Sequence, residues 1–342
     1  MEIRNAKDAN EYLNAAERQR VSYEQQKFNA LGYDINLTVL TAVAKQITEQ
    51  KFFELQIGEY LPIAVGNSAW SDNILTYRDF SLSRDFEEGV INTGANNARL
   101  AESNSGVDSI TVPVSNWAKQ INYSLFDLQL ASRAGNWDLV TSKEKSRKKN
   151  WDLGIQQIAF VGSANNSNVK GLLTQSNVNS NTSLITKYIS TMNATEFNAL
   201  VTGAVDAYRV NNGRTQYPTH FIIPESDYNG LAVTMATTGG SFPVPMLEYL
   251  QKAFALITRN PSFKILPCSY ADKTTNNSLI GLNKNRYTLL NFDETTIRMD
   301  IPVDYSNTLQ NTLNGFQFQS VGYGQFTGVQ AYRELEVLYF DF

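Results

Sequence analysis

Cysteine occurs once in this chain, at Cys268, so no internal disulfide can form and a buried thiol is expected. Histidine also occurs once, at His220 beside a short apolar run. A Ser-His-Asp triad or a histidine-based metal site would have to use it. No partners stand at the required spacing, so His220 is expected as a satisfied core residue. Neither GxxxxGKS/T nor GxGxxG occurs, which leaves nucleotide binding without support. Ser142-Lys143-Glu144-Lys145 matches SxxK only by chance, within the most charged turn of a helix. Asp293-Glu294 is most simply a turn. The sequence therefore offers no catalytic, cofactor-binding or metal-ligating residues. No apolar run approaches the roughly 18 residues of a membrane span. The first residues, MEIRNAKDANEYL, contain no apolar segment of a secretory signal. The Asn-x-Ser/Thr triplets, such as the one starting at Asn36, are then accidental, and a protein made or assembled in a cytoplasm is expected. A net charge of −4 argues against nucleic acid as the main partner of the whole surface. Proline is missing from the first 61 residues, and no lysine lies between Lys51 and Lys119.

What is present describes a folded protein of mixed α+β class. Apolar residues make up 42% and charged residues 18%, and 342 residues exceed one simple core, so two or three lobes are expected. Residues 7–31 form an amphipathic helix with Leu13, Ala16, Val21, Phe28 and Leu31 on one side, ended by Gly32; a second helix spans 37–50. From Leu61 the character changes to strand, at 61–63 and from Ile74 to about Phe86. A turn-rich stretch follows, and 109–125 returns as a strand in which Ile110, Val112 and Val114 alternate with polar residues. This is a long hairpin, and a two-stranded ribbon is marginal alone in water, so its tip needs another surface.

The spacing predicts a long helix over 136–161, with Asn136 as N-cap and Asp138 suiting the positive end of its dipole. Val140, Arg147, Trp151, Ile155 and Ile158 form one buried stripe containing an arginine stem, and Gly162 stops the helix. Its length of roughly 37 Å suits a spine crossing a flat subunit. Further helices are expected at 195–210, 227–235 and 246–257, a flexible loop at 237–243, and short strands at 219–224 and 263–265. Residues 287–292 and 296–301 suggest a strand pair around Asp293-Glu294. Residues 317–323 and 330–339 suggest a closing hairpin through Gly324 and Gly328.

The succession of long hairpin, strand, AKQINYSLFDLQLAS, long helix ending in glycine, loop and Gly171-Leu172-Leu173 resembles the major capsid proteins of tailed bacteriophages. Encapsulin nanocompartment shells share that fold. Tyr123 to Leu128 is similar to the family segment before the spine helix, Ile158 to Gly162 to the spine's end, and TGVQAYRELEVLYFDF to the closing strand. The resemblance implies an N-terminal arm at 1–60 and an extended β-hairpin loop at 61–112. It further implies a peripheral domain at 113–190 with 312–342, and an axial domain at 191–311 carrying the 237–243 loop near the centre of a pentamer or hexamer. It implies a structural protein that self-assembles into an icosahedral shell around double-stranded DNA, assembled in a host bacterial cytoplasm. Portal, scaffold or decoration proteins are implied partners, with no membrane and no cofactor. An encapsulin-type shell enclosing cargo enzymes is the alternative, and a cytoplasmic α/β enzyme a third reading that the missing site disfavours. Some relatives link subunits through a lysine on the extended loop. This loop has none, so no such cross-link is expected, and stability must come from burial by anchors such as Trp70, Phe80, Phe86 and Trp117, from the N-terminal arm or from a separate decoration protein.

Charge suggests where copies meet. Residues 72–108 carry seven acids against three bases, while the spine carries Lys143, Lys145, Arg147, Lys148 and Lys149 within two turns. The acidic hairpin, through Asp79, Asp85, Glu87 and Glu88, is expected to lie on the basic spine of a neighbouring copy. Single surface pairs are worth only about 0–1 kcal/mol, but many copies add up in a closed shell. The competing reading turns these lysines toward packaged DNA by non-specific phosphate contact.

Overall fold

The computed structural model describes residues 53–81, 105–133, 138–236, 244–312 and 314–342. The chain forms two compact units. One comprises Met1–Phe52 with Gln129–Trp137, of which only 129–133 lie within the described residues; the expected helices 7–31 and 37–50 fall outside them. The other, Phe53–Leu128 with Asp138–Phe342, contains everything described below except residues 129–133, the end of a helix that starts at Leu125.

Strand β1 (Ile63–Val65) precedes the hairpin, in which β2 (Asn73–Ser81) and β3 (Ser105–Pro113) pair antiparallel from Asn73↔Pro113 to Ser81↔Ser105. The expected single return strand is broken. Pro113 has no N–H to extend the ladder, and after Val114, whose N–H donates to Asp72 O at 2.9 Å, the chain changes partner. It continues as β4 (Ser115–Ser124), paired in full with β14 (Gln317–Phe326). Strands β12 (Val303–Asn307) and β13 (Asn311–Thr312) line the other edge of β14. Helix α1 (Leu125–Arg133) follows β4 directly.

The spine is α2, Leu139–Val161, about 35 Å long at 1.5 Å per residue. Its N-cap is Asp138, in extended conformation, whose Oδ1 accepts from Thr141 N at 3.1 Å while Thr141 Oγ1 donates to Oδ2 at 2.6 Å. Those bonds hold the Asp138 carboxyl below the usual carboxylate range. The helix thus starts later than expected, and Asn136 lies outside the described residues. Its last carbonyls are satisfied by the returning chain: Leu172 N donates to Ala159 O at 2.8 Å and Leu173 N to Phe160 O at 2.9 Å. The approach demands glycine. Gly162 has φ +77°, and a Cβ on Gly171 would lie 2.4 Å from Phe160 C.

Five strands form the central sheet in the order β5 (Asn179–Asn181), β16 (Val337–Asp341), β10 (Arg286–Leu290), β6 (His220–Pro224), β9 (Lys264–Cys268). Alternation along these strands feeds two cores. One face sends Ile222, Leu290, Val337 and Tyr339 against Trp151, Ile155 and Phe160 of the spine. The other sends Phe221, Ile223, Leu289 and Phe340 against α3 (Ala194–Asn211), α4 (Glu225–Val233) and α5 (Met246–Thr258), through Leu200, Tyr208, Leu231 and Phe254. Asn193 and Glu196 close the start of α3 with a capping box. A short helix α6 (Lys273–Ile280) follows β9.

Two expected pairings are corrected. Strand β10 does not pair with β11 (Ile297–Ile301); β11 pairs parallel with β1 and antiparallel with β15 (Val329–Ala331). Asp293 does make the turn, its Oδ1 accepting from Thr295 N at 2.7 Å, but that turn carries the chain from one sheet to another. Nor do the last strands form a hairpin: β14, β15 and β16 belong to three different sheets. Gly324 serves close approach instead, since a Cβ there would meet the Trp151 ring at 2.5 Å. The 237–243 loop lies outside the described residues, between the paired strands β7 (Met235–Ala236) and β8 (Val244–Pro245).

Candidate assembly site

The hairpin has two unlike faces, because its paired residues point together to one side or the other. On the inner face Ile74, Thr76, Arg78 and Ile110 are half-buried and Val112 is buried. Arg78 fastens this face: Nη1 donates to Tyr332 O at 3.1 Å, and Nη2 to Asp108 Oδ2 at 3.0 Å. The Arg78 bond, helped by the Ser109 N–H, holds the Asp108 carboxyl below its ordinary range. On the outer face Leu75, Tyr77 and Asp79 stand opposite Thr111, Ser109 and Val107. All six are exposed, with Leu75 at 49%, Tyr77 at 69% and Val107 at 68%, so no described residue covers this face. Trp70, in the loop before β2, is 69% exposed and rests one side of its ring near Tyr323, 5.8 Å between centroids.

Along the spine the expected basic residues separate. Lys145 and Lys148 are exposed. Lys143 Nζ donates to Asn122 O at 2.7 Å, and Lys149 pairs with Glu54 of the same chain. Asp152 lies beside them; partial burial raises its carboxyl, against the opposing pull of Lys148 and Lys149. Arg147 leaves the set altogether. It is 2% exposed, and its guanidinium is consumed internally: Nε donates to Tyr305 Oη at 2.8 Å, Nη1 to Ser320 O at 2.7 Å, Nη2 to Asn307 Oδ1 at 3.0 Å. Position in the Trp151 and Ile155 stripe, rather than charge, was the telling signal. A Cβ on Gly322 would meet Arg147 Nε at 2.7 Å, so β14 is shaped to receive it.

Of the acidic residues, Asp79 stands on the bare hairpin face, whereas Asp85, Glu87 and Glu88 lie outside the described residues. Among the aromatic anchors, Trp117 is spent inside the subunit against Trp151, 5.2 Å between ring centroids, while Phe86 and the Phe80 side chain fall outside description. Sequence reasoning missed Leu75, Tyr77 and Val107. Their signal was the second parity of the strand alternation, which placed apolar residues on both sides.

The two residues nearest to candidate chemistry in the sequence, His220 and Cys268, are both buried. His220 is buried, its Nδ1 lies 2.9 Å from Thr219 Oγ1, and its ring stacks on Phe292. Burial, with Lys264 nearby, lowers it from its ordinary value to about 4. Burial pushes the Cys268 thiol up to about 12. Among the described residues no group of three or more His, Cys, Asp or Glu could hold a metal ion, and no helix is long and apolar enough to cross a membrane.

A family model described as major capsid protein matches residues 89–342. The chain belongs to the major capsid protein family. Solved structures repeat the fold. The capsid of Myoviridae phage XM1 is similar with TM-score 0.71 and 14% identity, over 91% of this chain and 99% of that one. The capsid of a native GTA particle gives 0.56 and 11%, over 90% and 97%, and a structure of Mycobacterium phage Ogopogo 0.55 and 11%, over 88% and 96%. No curated protein matches the sequence. The protein is a structural subunit of a phage capsid shell, and the family match favours this over the encapsulin-type alternative.

Proposed function

We propose that this capsid protein builds the pentamers and hexamers of an icosahedral shell around double-stranded DNA, and that the β2–β3 hairpin of one copy docks on the spine of the next. The observation that carries this reading is the outer hairpin face, where Leu75, Tyr77 and Val107 are exposed beside Asp79. Leaving that much apolar surface on a two-stranded ribbon is costly unless a second copy covers it. Charge favours the spine as the place, with a hairpin of net negative charge facing exposed Lys145 and Lys148. We assign 1–60 as the arm, 61–112 as the loop, 113–190 with 312–342 as the peripheral domain and 191–311 as the axial domain. Assembly takes place in the host cytoplasm, with portal, scaffold or decoration proteins as further partners.

The decisive experiment reverses Lys145 and Lys148 to Glu and follows particles by sedimentation and negative-stain microscopy, with circular dichroism as the folding control. A folded subunit that forms no shells is the expected outcome. Shells of normal size and yield from that variant sink the docking reading. Shells that form normally but release DNA at lower salt than native shells move the lysines to the DNA-facing role, where phosphate contacts make binding salt-dependent.

A further inference from the structure

The chain contains three Asn-Gly dipeptides, at Asn212-Gly213, Asn229-Gly230 and Asn314-Gly315. Asparagine followed by glycine is open to attack on its side-chain amide by the next peptide nitrogen, because glycine puts no Cβ in the way. Folding treats the three differently. Asn212 is buried at the end of α3, its Nδ2 donates to Gln216 O at 2.8 Å, and Gly213 N donates to Val210 O at 3.2 Å. Asn229 and Gly230 sit inside α4, where the nitrogen belongs to the helical ladder and a Cβ on Gly230 would touch Ser190 Oγ at 2.7 Å. Asn314 and Gly315 are both exposed, in the turn that leads into β14, and Gly315 has φ +71°.

The turn also prepares the amide for reaction. Asn314 Oδ1 accepts from Phe316 N at 3.2 Å and from Gln317 N at 2.9 Å, which folds the side chain back along the following peptides. Among the described residues no acceptor takes the Gly315 N–H. Attack on Cγ places negative charge on Oδ1, and two backbone N–H groups already point at that oxygen. This is the arrangement by which oxyanion holes stabilise tetrahedral intermediates.

We propose that Asn314 is a site of spontaneous, fold-assisted deamidation. Gly315 N loses its proton to solvent hydroxide and attacks Asn314 Cγ, so a C–N bond forms. The Cγ–Nδ2 bond then breaks, and the nitrogen leaves as ammonia after taking a proton from water. Water opens the resulting five-membered imide at either carbonyl, giving aspartate or isoaspartate at position 314. No oxidant and no other co-reactant is needed. Either product adds one negative charge to the turn. Isoaspartate also lengthens the main chain there by one methylene, next to Phe316, whose ring packs edge-on against Phe126 at 4.9 Å and whose carbonyl accepts from Leu125 N at 3.1 Å. The modification thereby gives the subunit a clock that runs with the age of the protein.

The test incubates the full-length protein, folded and separately in urea, and digests samples over time. Peptide masses read the conversion of amide to acid at each of the three sites, and an isoaspartyl methyltransferase assay reads the isomer. In the folded protein Asn314 should convert about tenfold faster than Asn212 or Asn229, or more, a modest demand beside the contribution of one oxyanion donor. In urea the three should converge, with Asn212 and Asn229 rising and Asn314 not accelerating. The Asn314→Gln chain should lose the folded-state signal. Equal rates at the three sites in the folded protein, or an Asn314 slowed by folding as much as the others, overturns the proposal.

Discussion

The central sheet and the β2–β3 hairpin meet the same backbone demand in opposite ways. Strands β6, β10 and β16 have only five residues each, yet every residue is buried, with a helix-backed core on both faces. The hairpin strands have nine residues each, a complete ladder, and one face that no described residue covers. Hydrogen bonds alone separate the two poorly, because a ladder bond nets only about 0.5–1.5 kcal/mol over its solvated alternative. The layers on either side make the difference. A region covered on both faces is complete within one subunit; the exposed face of the hairpin is the surface that we propose a second copy covers.

The largest way to break that contrast strikes the sheet's buried ion pair. Arg286 Nε donates to Asp341 Oδ1 at 2.7 Å and Nη2 to Oδ2 at 2.6 Å, while Nη1 reaches Leu173 O and the guanidinium lies over the Tyr339 ring. This arginine joins the sheet to the chain returning from the spine. Asp341→Ala leaves a buried cation without its partner, and a loss of about 3–5 kcal/mol in urea unfolding is expected. A loss below about 1 kcal/mol would show that the sheet is less closed than its burial implies.

A smaller effect comes from His220, on the same sheet. Its ionisation is depressed from the ordinary 6.5 to about 4, first by burial and then by Lys264. Between those values the unfolded chain binds more protons than the folded one, so stability is complete above about pH 6.5 and falls as pH drops toward 4. Discounted for residual solvent, the group contributes about 2 kcal/mol across that window. The difference in unfolding free energy between the native chain and His220→Asn, followed from pH 7 to 4, should shrink by that amount. A difference that stays level with pH would mean that the ring is hydrated and this end of β6 open to water.

The parts of this molecule that could be read from sequence are those whose signals are local. The apolar spacing of Phe197, Leu200, Val201, Val205 and Tyr208 identifies α3, and all five are buried. Gly162 ends the spine where its position says it should. Pairing was not legible, because it is chosen by residues far away. Strands β10 and β11 look like neighbours around Asp293, but β10 finds its ladder in β6 and β16, and β11 in β1 and β15. Gly324 resembles a turn glycine until Trp151 is placed against it. Arg147 could be read both as a stem in the buried stripe and as one more cation in a basic run; its acceptors, Tyr305, Asn307 and Ser320, which decide for the first, lie more than 150 residues along the chain. The proposed assembly surfaces were half legible: charge suggested the regions, while the exposed apolar face needed the register of the two strands.

The smallest effect on the folded subunit is also the sharpest probe of the contrast. Leu75→Ser with Tyr77→Ser removes apolar surface that is already in water, so the isolated subunit should keep its unfolding free energy within about 0.5 kcal/mol. If a second copy covers this face, the same change deletes buried area from every contact in the shell. At about 25 cal/mol per Å², even half of what two such side chains can bury is worth roughly 2 kcal/mol per contact. The concentration at which particles form should then rise at least tenfold, read by light scattering against subunit concentration. Destabilisation of the subunit with unchanged assembly would reverse the assignment, because the face would then be covered by its own chain. An effect on assembly alone shows that folding and shell building draw on different surfaces of the same molecule.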